Sequence, residues 1–227
     1  REFEPKTEWN TVQGIEVQSL KTTGTSPSPS SISVEALHEQ SLQSLQLFPN
    51  DELRLSHRQR LTGGLVISVR GRIKEPLIIT HTYEEGRDAY RSTLLFLETG
   101  ASCTVIERHE GNAGFASHTT EAFLEENAQL SYASLQAVHG VLVTRKAGSV
   151  ARDALVRWFE LDAGTGGSYS RTRSRLEGEN AEARVVSLFL GESEDSMDIG
   201  AEADHLAPHT ASDLFTKGVL TGKATCV

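Results

Sequence analysis

The sequence is poor in the residues that mark several familiar protein classes. It contains only two cysteines, Cys103 and Cys226, whereas small oxidised scaffolds carry larger, even sets. Two thiols of this kind predict a reducing compartment, and Cys103, in the apolar segment CTVI, fits a core position. Aromatic residues make up just 6% of the chain. That scarcity disfavours a sugar-binding groove, because such grooves stack exposed aromatic rings against their ligands.

Long apolar runs and clustered positive charge are missing as well. The longest apolar run lies around Leu65 to Val69, far short of the roughly 20 residues that a membrane-spanning helix needs. No basic start precedes an apolar stretch as it does in a signal peptide. The net charge is −9 and the arginines are scattered, so neither nucleic acid nor an anionic membrane is an expected partner. We therefore expect a soluble, cytoplasmic protein.

The first 50 residues differ from the rest in composition and period. Residues 1–20 form an arm in which GIEVQSL (14–20) alternates as a short strand would. Residues 21–33 are rich in Ser, Thr, Pro and Gly, which predicts a flexible linker. In residues 34–50, leucines recur among polar residues after the N-cap candidate Ser33, so one amphipathic helix is expected there.

From about residue 60 the apolar residues recur at every second position. Segments such as GGLVISV, EPLIITHTY, STLLFLE, CTVIERHE and AEARVVSLFL are rich in β-branched and other apolar residues, and Gly, Asn or Asp separates them. No convincing helical pattern occurs between residues 60 and 200. So many short strands in succession predict an all-β body over residues 51–227. Because residue 1 is Arg and the last residues, ATCV, look like the start of a strand, we also expect an internal fragment of a longer protein.

A local pattern recurs where the strands end. LETGASCTVI (97–106), LEENAQLSYA (124–133) and LEGENAEARVV (176–186) share Leu plus an acid, a short Gly or Asn turn, a small residue and the next strand. LDAGTGGSYS (161–170) is a looser version. Gly and Asn tolerate the positive φ of a tight corner. The pattern predicts tight corners, either in the hairpins of a sandwich or between the faces of a coiling sheet.

The C-terminal stretch HLAPHTASDLFTKGVLTGKATCV (205–227) carries two histidines four residues apart. Pro208 disfavours a helix, and in an extended strand His205 and His209 would lie about 13 Å apart, too far to share one metal ion. They are therefore weak metal candidates, and a corner residue bonded to the next strand is the stronger interpretation. Cys226 is a third weak candidate, because thiolates bind iron well but a lone strand cysteine is more often a small buried apolar residue.

A further weak set lies in the body of the chain. Glu107, His109 and Glu110 cluster at one strand end, with His118 and His139 elsewhere in the sequence. Such groups can serve acid–base chemistry. Because acidic residues are abundant in this chain, chance clustering is the simpler interpretation.

Several of these segments together resemble the SufB/SufD family of the SUF iron–sulfur cluster assembly system. The resemblance rests on GASCTVIERHEG (100–111), LEENAQLSY (124–132), SRTRSRLEGENAEARVVSLFLG (170–191) and HLAPHTASDLFTKGVLTGKA (205–224). It covers roughly residues 40–227, and its last segment is the most specific, with a His, a Thr/Ser pair and K-G-V-L-x-G-x-A. The positions that match the family motif are His209, Thr210, Ser212, Lys217, Gly218 and Gly222. The chain looks more similar to SufD than to SufB.

The resemblance implies a right-handed parallel β-helix with a short helical N-terminal segment. It also implies a non-catalytic scaffold in a complex with a SufB-like subunit and SufC, an ABC-type ATPase, or alternatively a homodimer through the β-helix. No cofactor is expected to be held firmly by this chain, and an iron–sulfur cluster is expected transiently on the assembled complex. In the family, a histidine linked to cluster assembly and a helical part that binds the ATPase follow the K-G-V segment. Iron and cluster ligands are therefore expected beyond residue 227.

Two other function classes stay open at this point. One is a parallel β-helix polysaccharide lyase or hydrolase, which needs paired carboxylates in a groove and is disfavoured by the low aromatic content. The other is a cupin-like or sandwich binding module, which needs two or three histidines and a Glu inside a barrel. The eight histidines are spread along the sequence from 38 to 209. Antiparallel rather than parallel strand neighbours would mark this second alternative.

Overall fold

The computed structural model of the 227-residue chain describes residues 15–19, 30–37, 47–48 and 52–227, apart from the side chains of residues 18, 19 and 165. Thirteen strands and one helix follow one another along these residues. In chain order they are β1 (Ile15–Ser19), β2 (Ser31–Ala36), α1 (Glu52–Gln59), β3 (Gly63–Arg70), β4 (Leu77–Tyr83), β5 (Ala89–Leu97), β6 (Ser102–Leu124), β7 (Gln129–Val150), β8 (Leu155–Asp162), β9 (Thr165–Leu176), β10 (Glu182–Gly191), β11 (Ser196–His205), β12 (Ala211–Leu220) and β13 (Thr225–Cys226).

Two parallel sheets run along the molecule, and β6 and β7 are long enough to contribute a strand to each. Sheet one contains β3, β5, the second halves of β6 and β7, and then β9, β11 and β13. Sheet two contains β4, the first halves of β6 and β7, and then β8, β10 and β12. The chain alternates between them in a β-solenoid of about 6 turns. The predicted all-β parallel β-helix is confirmed, and the parallel neighbours exclude the cupin-like alternative.

Inward-facing residues of the two sheets form one continuous core. Side chains along a strand point alternately inward and outward, and successive coils stack in register. Buried apolar residues of one coil therefore lie directly beside buried apolar residues of the next. Leu97, Leu124, Val150 and Leu176 form one such column, and each pairs with the next. All four are at most 3% exposed. Burying a side chain of this kind stabilises the fold by about 1.5–3 kcal/mol, so these columns hold the coils together.

One corner of the solenoid repeats in every coil from β5 onward. Its left-handed residues have φ between 56° and 70° and are Gly100, Asn127, Asp153, Asn180 and His209. The backbone N–H groups of the first four donate to carbonyls of the following coil at 2.8–3.3 Å, which ties the corners into a column. Three of the predicted corner sequences lie here, and VARDA (150–154) is a further member that lacks Gly and Asn.

The looser sequence LDAGTGGSYS (161–170) belongs to a different bend, where the chain passes from sheet two to sheet one. Gly140 and Gly166 stack there with φ of 124° and 108°. A Cβ on Gly140 would lie 1.7 Å from the carbonyl oxygen of Ala113. Coils approach so closely at this bend that a side chain at Gly140 has no room.

The N-terminal prediction needs a correction. Ser31–Ala36 forms β2, which pairs antiparallel with β3. Residues 34–36, the start of the expected helix, are therefore strand. Residues 38–46 of that prediction lie outside the described residues. The alternating SISVEA segment pairs with the backbone N–H and C=O groups at the edge of β3, and β1 pairs with those of β4 in the same way. In the described residues the one helix is α1, at Glu52–Gln59, and no helix is long and apolar enough to cross a membrane.

Of the predicted linker, residues 21–29 lie outside the described residues, and residues 31–33 belong to β2. The short strand predicted within residues 14–20 is present as β1.

Candidate functional site

The interior of the first coils holds three histidines around one glutamate. His81 lies on β4, Glu107 and His109 on the first half of β6, and His118 on the second half of β6. Oε1 of Glu107 lies 2.9 Å from Nε2 of His81 and 3.0 Å from Nε2 of His118, and Oε2 lies 3.1 Å from Nε2 of His109. All four side chains are at most 1% exposed.

The solenoid geometry explains why these side chains meet. His81 and His109 are register partners on neighbouring strands of sheet two, and their rings stack with centroids 4.9 Å apart. Glu107 precedes His109 by two positions and so faces the same side of the strand. His118 reaches the group from sheet one, on the other side of the interior, with its ring 4.8 Å from that of His109. Both sheets therefore supply ligand-type side chains to one point.

A shell of hydroxyl groups surrounds this cluster. The hydroxyl of Tyr83 lies 2.9 Å from Nδ1 of His109. The hydroxyl of Thr93 lies 3.4 Å from both Oε1 of Glu107 and Nε2 of His118. Nδ1 of His81 and Nδ1 of His118 are buried and have no hydrogen-bond partner. The outer nitrogen of His109 is therefore held in place, whereas those of the other two histidines are not.

Burial controls the charge of the cluster. It lowers the pKa of His81 to about 4 and that of His118 to about 3, so both rings are neutral at pH 7. Burial by itself raises the pKa of Glu107, but the neighbouring His118 and His109 hold that pKa well below its ordinary range. Neutral imidazoles that face a carboxylate donate from Nε2, and the ionised carboxylate accepts. Glu107 thus brings a negative charge into the protein interior.

Of the weak candidates in the body of the chain, this arrangement brings together Glu107, His109 and His118. Glu110 and His139 are exposed and do not join them. His81 was missed, although the period of two carries the signal: Leu77, Ile79 and His81 fall on the buried side of β4. What the sequence does not contain is the register that places His81 beside His109.

A second buried polar group lies further along the interior. Nζ of Lys146, on β7, lies 3.3 Å from Oε1 of Glu160, on β8, and both side chains are nearly inaccessible. Ser187 donates to Oε2 of Glu160 at 3.0 Å, and Thr172 donates to Oε1. This ion pair joins sheet one to sheet two.

The histidines of the C-terminal stretch do not converge. Nδ1 of His205 lies 2.7 Å from the Thr210 hydroxyl, and Nε2 lies 3.0 Å from the Ser212 hydroxyl, so both ring nitrogens are engaged by the chain itself. His209 occupies the corner column with a φ of 60° and a side chain that is 73% exposed. Its nearest charged neighbour is Glu179, at 4.0 Å.

The two cysteines also lie apart from any ligand group. Cys103 is in the core, where burial raises the pKa of its thiol to about 12. Cys226 is half-buried on β13, and burial raises its thiol pKa as well. Among the residues that the structure describes, the one set of three His, Cys, Asp or Glu side chains with ligand atoms within 4.8 Å of one another is His81, His109 and His118.

Comparison with known proteins agrees with the architecture. A family model described as SUF system FeS cluster assembly, SufBD core domain, matches residues 79–227. The chain belongs to the SufBD core family. A search of curated proteins gave no match. The matched range includes β4 to β13 almost entirely, so this part of the solenoid is the SufBD core and the chain is a component of the SUF cluster assembly system.

The family-motif residues of this SufBD core build its last coil. Thr210 and Ser212 hold His205, and Gly222 makes a tight turn with a φ of 68°. Gly218 lies opposite Phe189 on the neighbouring strand, and a Cβ there would come within 2.1 Å of the Phe189 ring. Hydrogen bonding therefore explains the residue types at Thr210 and Ser212, and backbone conformation and close packing explain the two glycines.

The outer surface of sheet two carries apolar side chains on its last strands. Phe159 on β8, Val186 on β10 and Phe215 on β12 are register partners, as are Leu161 and Leu188. Leu190 and Val219 continue the surface on β10 and β12. We call this set of seven residues the sheet-two face. Phe159 is 44% exposed, Leu188 41% and Phe215 51%, so the SufBD core presents a largely apolar surface here, with the exposed Lys217 beside Leu188 on β12.

Proposed function

We propose that this chain is a non-catalytic, SufD-like scaffold subunit of a SUF complex, and that it pairs with a SufB-like subunit through the sheet-two face. The observation that carries the proposal is the match to the SufBD core over the solenoid. In this scheme an ABC-type ATPase related to SufC supplies ATP hydrolysis. Iron, sulfide and the nascent cluster are substrates of the assembled complex.

The sheet-two face supports pairing with another solenoid. Soluble monomers seldom expose large contiguous apolar patches, and such patches commonly mark protein–protein contacts. Of the three strands that carry the face, β8 and β10 have backbone ladders on both sides, and β12 pairs with β10. A stiff apolar surface suits a role in which a partner must be held in one orientation while the ATPase changes its conformation. The free thiols Cys103 and Cys226 agree with a cytoplasmic location for this complex.

The experiment is affinity purification of the full-length protein from its own cells, followed by mass spectrometry and mass measurement of the complex. We expect a SufB-like chain and an ABC-type ATPase at fixed stoichiometry. The variant Phe159→Asp/Leu188→Asp should lose the SufB-like chain, because two charges would be buried in an apolar contact. Ser196→Asp is the matched control, since Ser196 is exposed on β11 of sheet one.

Three results would contradict the proposal. Recovery of the protein without either partner would contradict the proposed role as a scaffold subunit of a SUF complex. Retention of the SufB-like chain by the double variant would show that the sheet-two face is not the contact. A homodimer of stable mass would replace the SufB-like partner with a second copy of this chain.

A further inference from the structure

We propose that His81, Glu107, His109 and His118 form a binding site for a single divalent transition-metal ion, zinc or iron(II), inside the solenoid. This site is a property of the chain by itself and does not depend on the scaffold function. It also lies apart from the weak metal candidates named from the sequence, which were His205, His209 and Cys226.

The positions of the four side chains are close to those of a metal centre. The three Nε2 atoms lie 2.9, 3.0 and 3.1 Å from the Glu107 oxygens. In a tetrahedral site with metal–ligand bonds of about 2.0–2.2 Å, neighbouring ligand atoms are about 3.3–3.5 Å apart. The three nitrogen–oxygen distances are therefore a few tenths of an ångström shorter than in such a site, and the ligand atoms of the three histidines lie within 4.8 Å of one another. Rotation about the side-chain bonds of Glu107 can provide a shift of that size.

The ligand chemistry selects the class of ion. Three imidazoles and one carboxylate suit zinc and ferrous iron, whereas calcium and magnesium prefer shells of oxygen. No thiol belongs to the described group, which disfavours cuprous ions. A site with three histidines and one carboxylate fills the four positions that a structural zinc ion requires.

The buried charge of Glu107 also favours a metal ion. Buried charges in proteins are normally paired or coordinate a metal, and the groups within ion-pair distance of Glu107 are three histidines. A divalent ion would neutralise the buried carboxylate.

Tyr83 connects the cluster to the surface. Its hydroxyl holds Nδ1 of His109 at 2.9 Å, which is the contact that an orienting group makes to a metal-bound histidine. Tyr83 also lines a surface cavity of about 290 Å³, together with Glu84, Asp88 and Arg91. The Arg91 guanidinium lies over the Tyr83 ring, 4.7 Å from its centroid. Movement of Tyr83 would therefore open a route for an ion from this cavity to His109.

The first experiment uses the full-length wild-type protein and needs no variant. After treatment with a chelator, the protein is titrated without oxygen with Zn²⁺ or Fe²⁺, and the bound metal is counted by elemental analysis. X-ray absorption spectroscopy of each loaded sample then reports the ligands. We expect one ion per chain and a nitrogen and oxygen shell with imidazole scattering. No stoichiometric binding of either ion, a zinc–sulfur distance of about 2.3 Å, or a shell of oxygen alone would overturn the proposal.

Variants locate the ion on these residues. His118→Asn should abolish one-to-one binding, because it removes a ligand. Tyr83→Phe keeps all four ligands and should weaken affinity about 10–100-fold, the usual effect of removing a group that orients a metal-bound histidine. His139→Asn is the matched control, since His139 is an exposed histidine of the same solenoid, and its affinity should equal that of the wild type. Far-ultraviolet circular dichroism checks the fold of each variant.

Full binding by folded His118→Asn, or loss of binding in His205→Asn/His209→Asn, would place the ion elsewhere and overturn the assignment. Unchanged affinity in Tyr83→Phe would overturn the role of Tyr83. If His118→Asn does not fold, the absorption spectrum of the loaded wild type and the affinity of Tyr83→Phe still decide the question. None of these measurements requires a SUF partner, so failure of this proposal and failure of the scaffold proposal are distinguishable.

Discussion

At the residue scale, the fold depends on a few backbone positions where neighbouring coils come close together. The corner column uses Asn127, Asp153, Asn180 and His209 in the left-handed region, where Asn and Asp are tolerated better than most residues. Asn180 also donates from its side chain to Asp153 at 3.0 Å. His209 thus has a clear structural role as the last residue of this column.

The bend between sheet two and sheet one gives a sharper residue-scale prediction. Gly140→Ala should lower the free energy of unfolding by at least about 2 kcal/mol, because it combines a φ of 124° with a Cβ 1.7 Å from the Ala113 carbonyl oxygen. Gly114→Ala is the matched control, since a Cβ there meets no atom within 4 Å. Urea unfolding measures both variants, and the control should stay within about 0.5 kcal/mol of the wild type. Equal effects of the two substitutions would contradict the steric explanation.

At the scale of single elements, helix α1 is attached to the outer surface of sheet one by His57. Nδ1 of His57 lies 2.7 Å from the Ser117 hydroxyl, and Nε2 lies 3.0 Å from the Ser92 hydroxyl. The ring is 4% exposed, and burial lowers its pKa from 6.5 to about 4. The amphipathic helix expected over residues 34–50 is a different segment from α1, and its first residues, 34–36, belong to β2 because SISVEA pairs with the edge of β3.

The pKa of His57 predicts how acid affects this attachment. Between pH 6.5 and pH 4 the unfolded chain binds a proton at His57 that the folded chain does not, so stability falls as the pH falls through this window. From pH 7.5 to pH 5 this histidine should account for a loss of about 2 kcal/mol. We would measure unfolding free energy at both pH values in the wild type and in His57→Gln. The variant should lose about 2 kcal/mol less than the wild type over this range, and an identical loss in both proteins would contradict the assignment.

At the scale of the whole molecule, the period of two and the Gly/Asn corners predict the all-β class, whereas the parallel pairing and the stacking of coils came from the resemblance. The reason is that alternation reports which face of a strand is buried and not which strand lies beside it. Glu107 and His109 could be named as candidates from their spacing in one strand. Their convergence with His81 depends on the register between β4 and β6, and that with His118 on the packing of sheet one against sheet two, neither of which the local sequence encodes.

The stacked architecture also predicts how a break in the interior should spread. In a solenoid each coil contacts its neighbours, so stability is approximately a sum of local terms. Glu160→Ala would leave Lys146 buried without its ion-pair partner and should cost about 3–5 kcal/mol, whereas Lys146→Met/Glu160→Leu should recover most of that loss. Hydrogen exchange should show the loss of protection in Glu160→Ala concentrated in β7 to β10, with β3 and β5 less affected. A uniform rise in exchange along the whole solenoid would mean that the coils unfold as one unit. A double variant no more stable than Glu160→Ala would mean that packing, and not the unpaired charge, causes the loss.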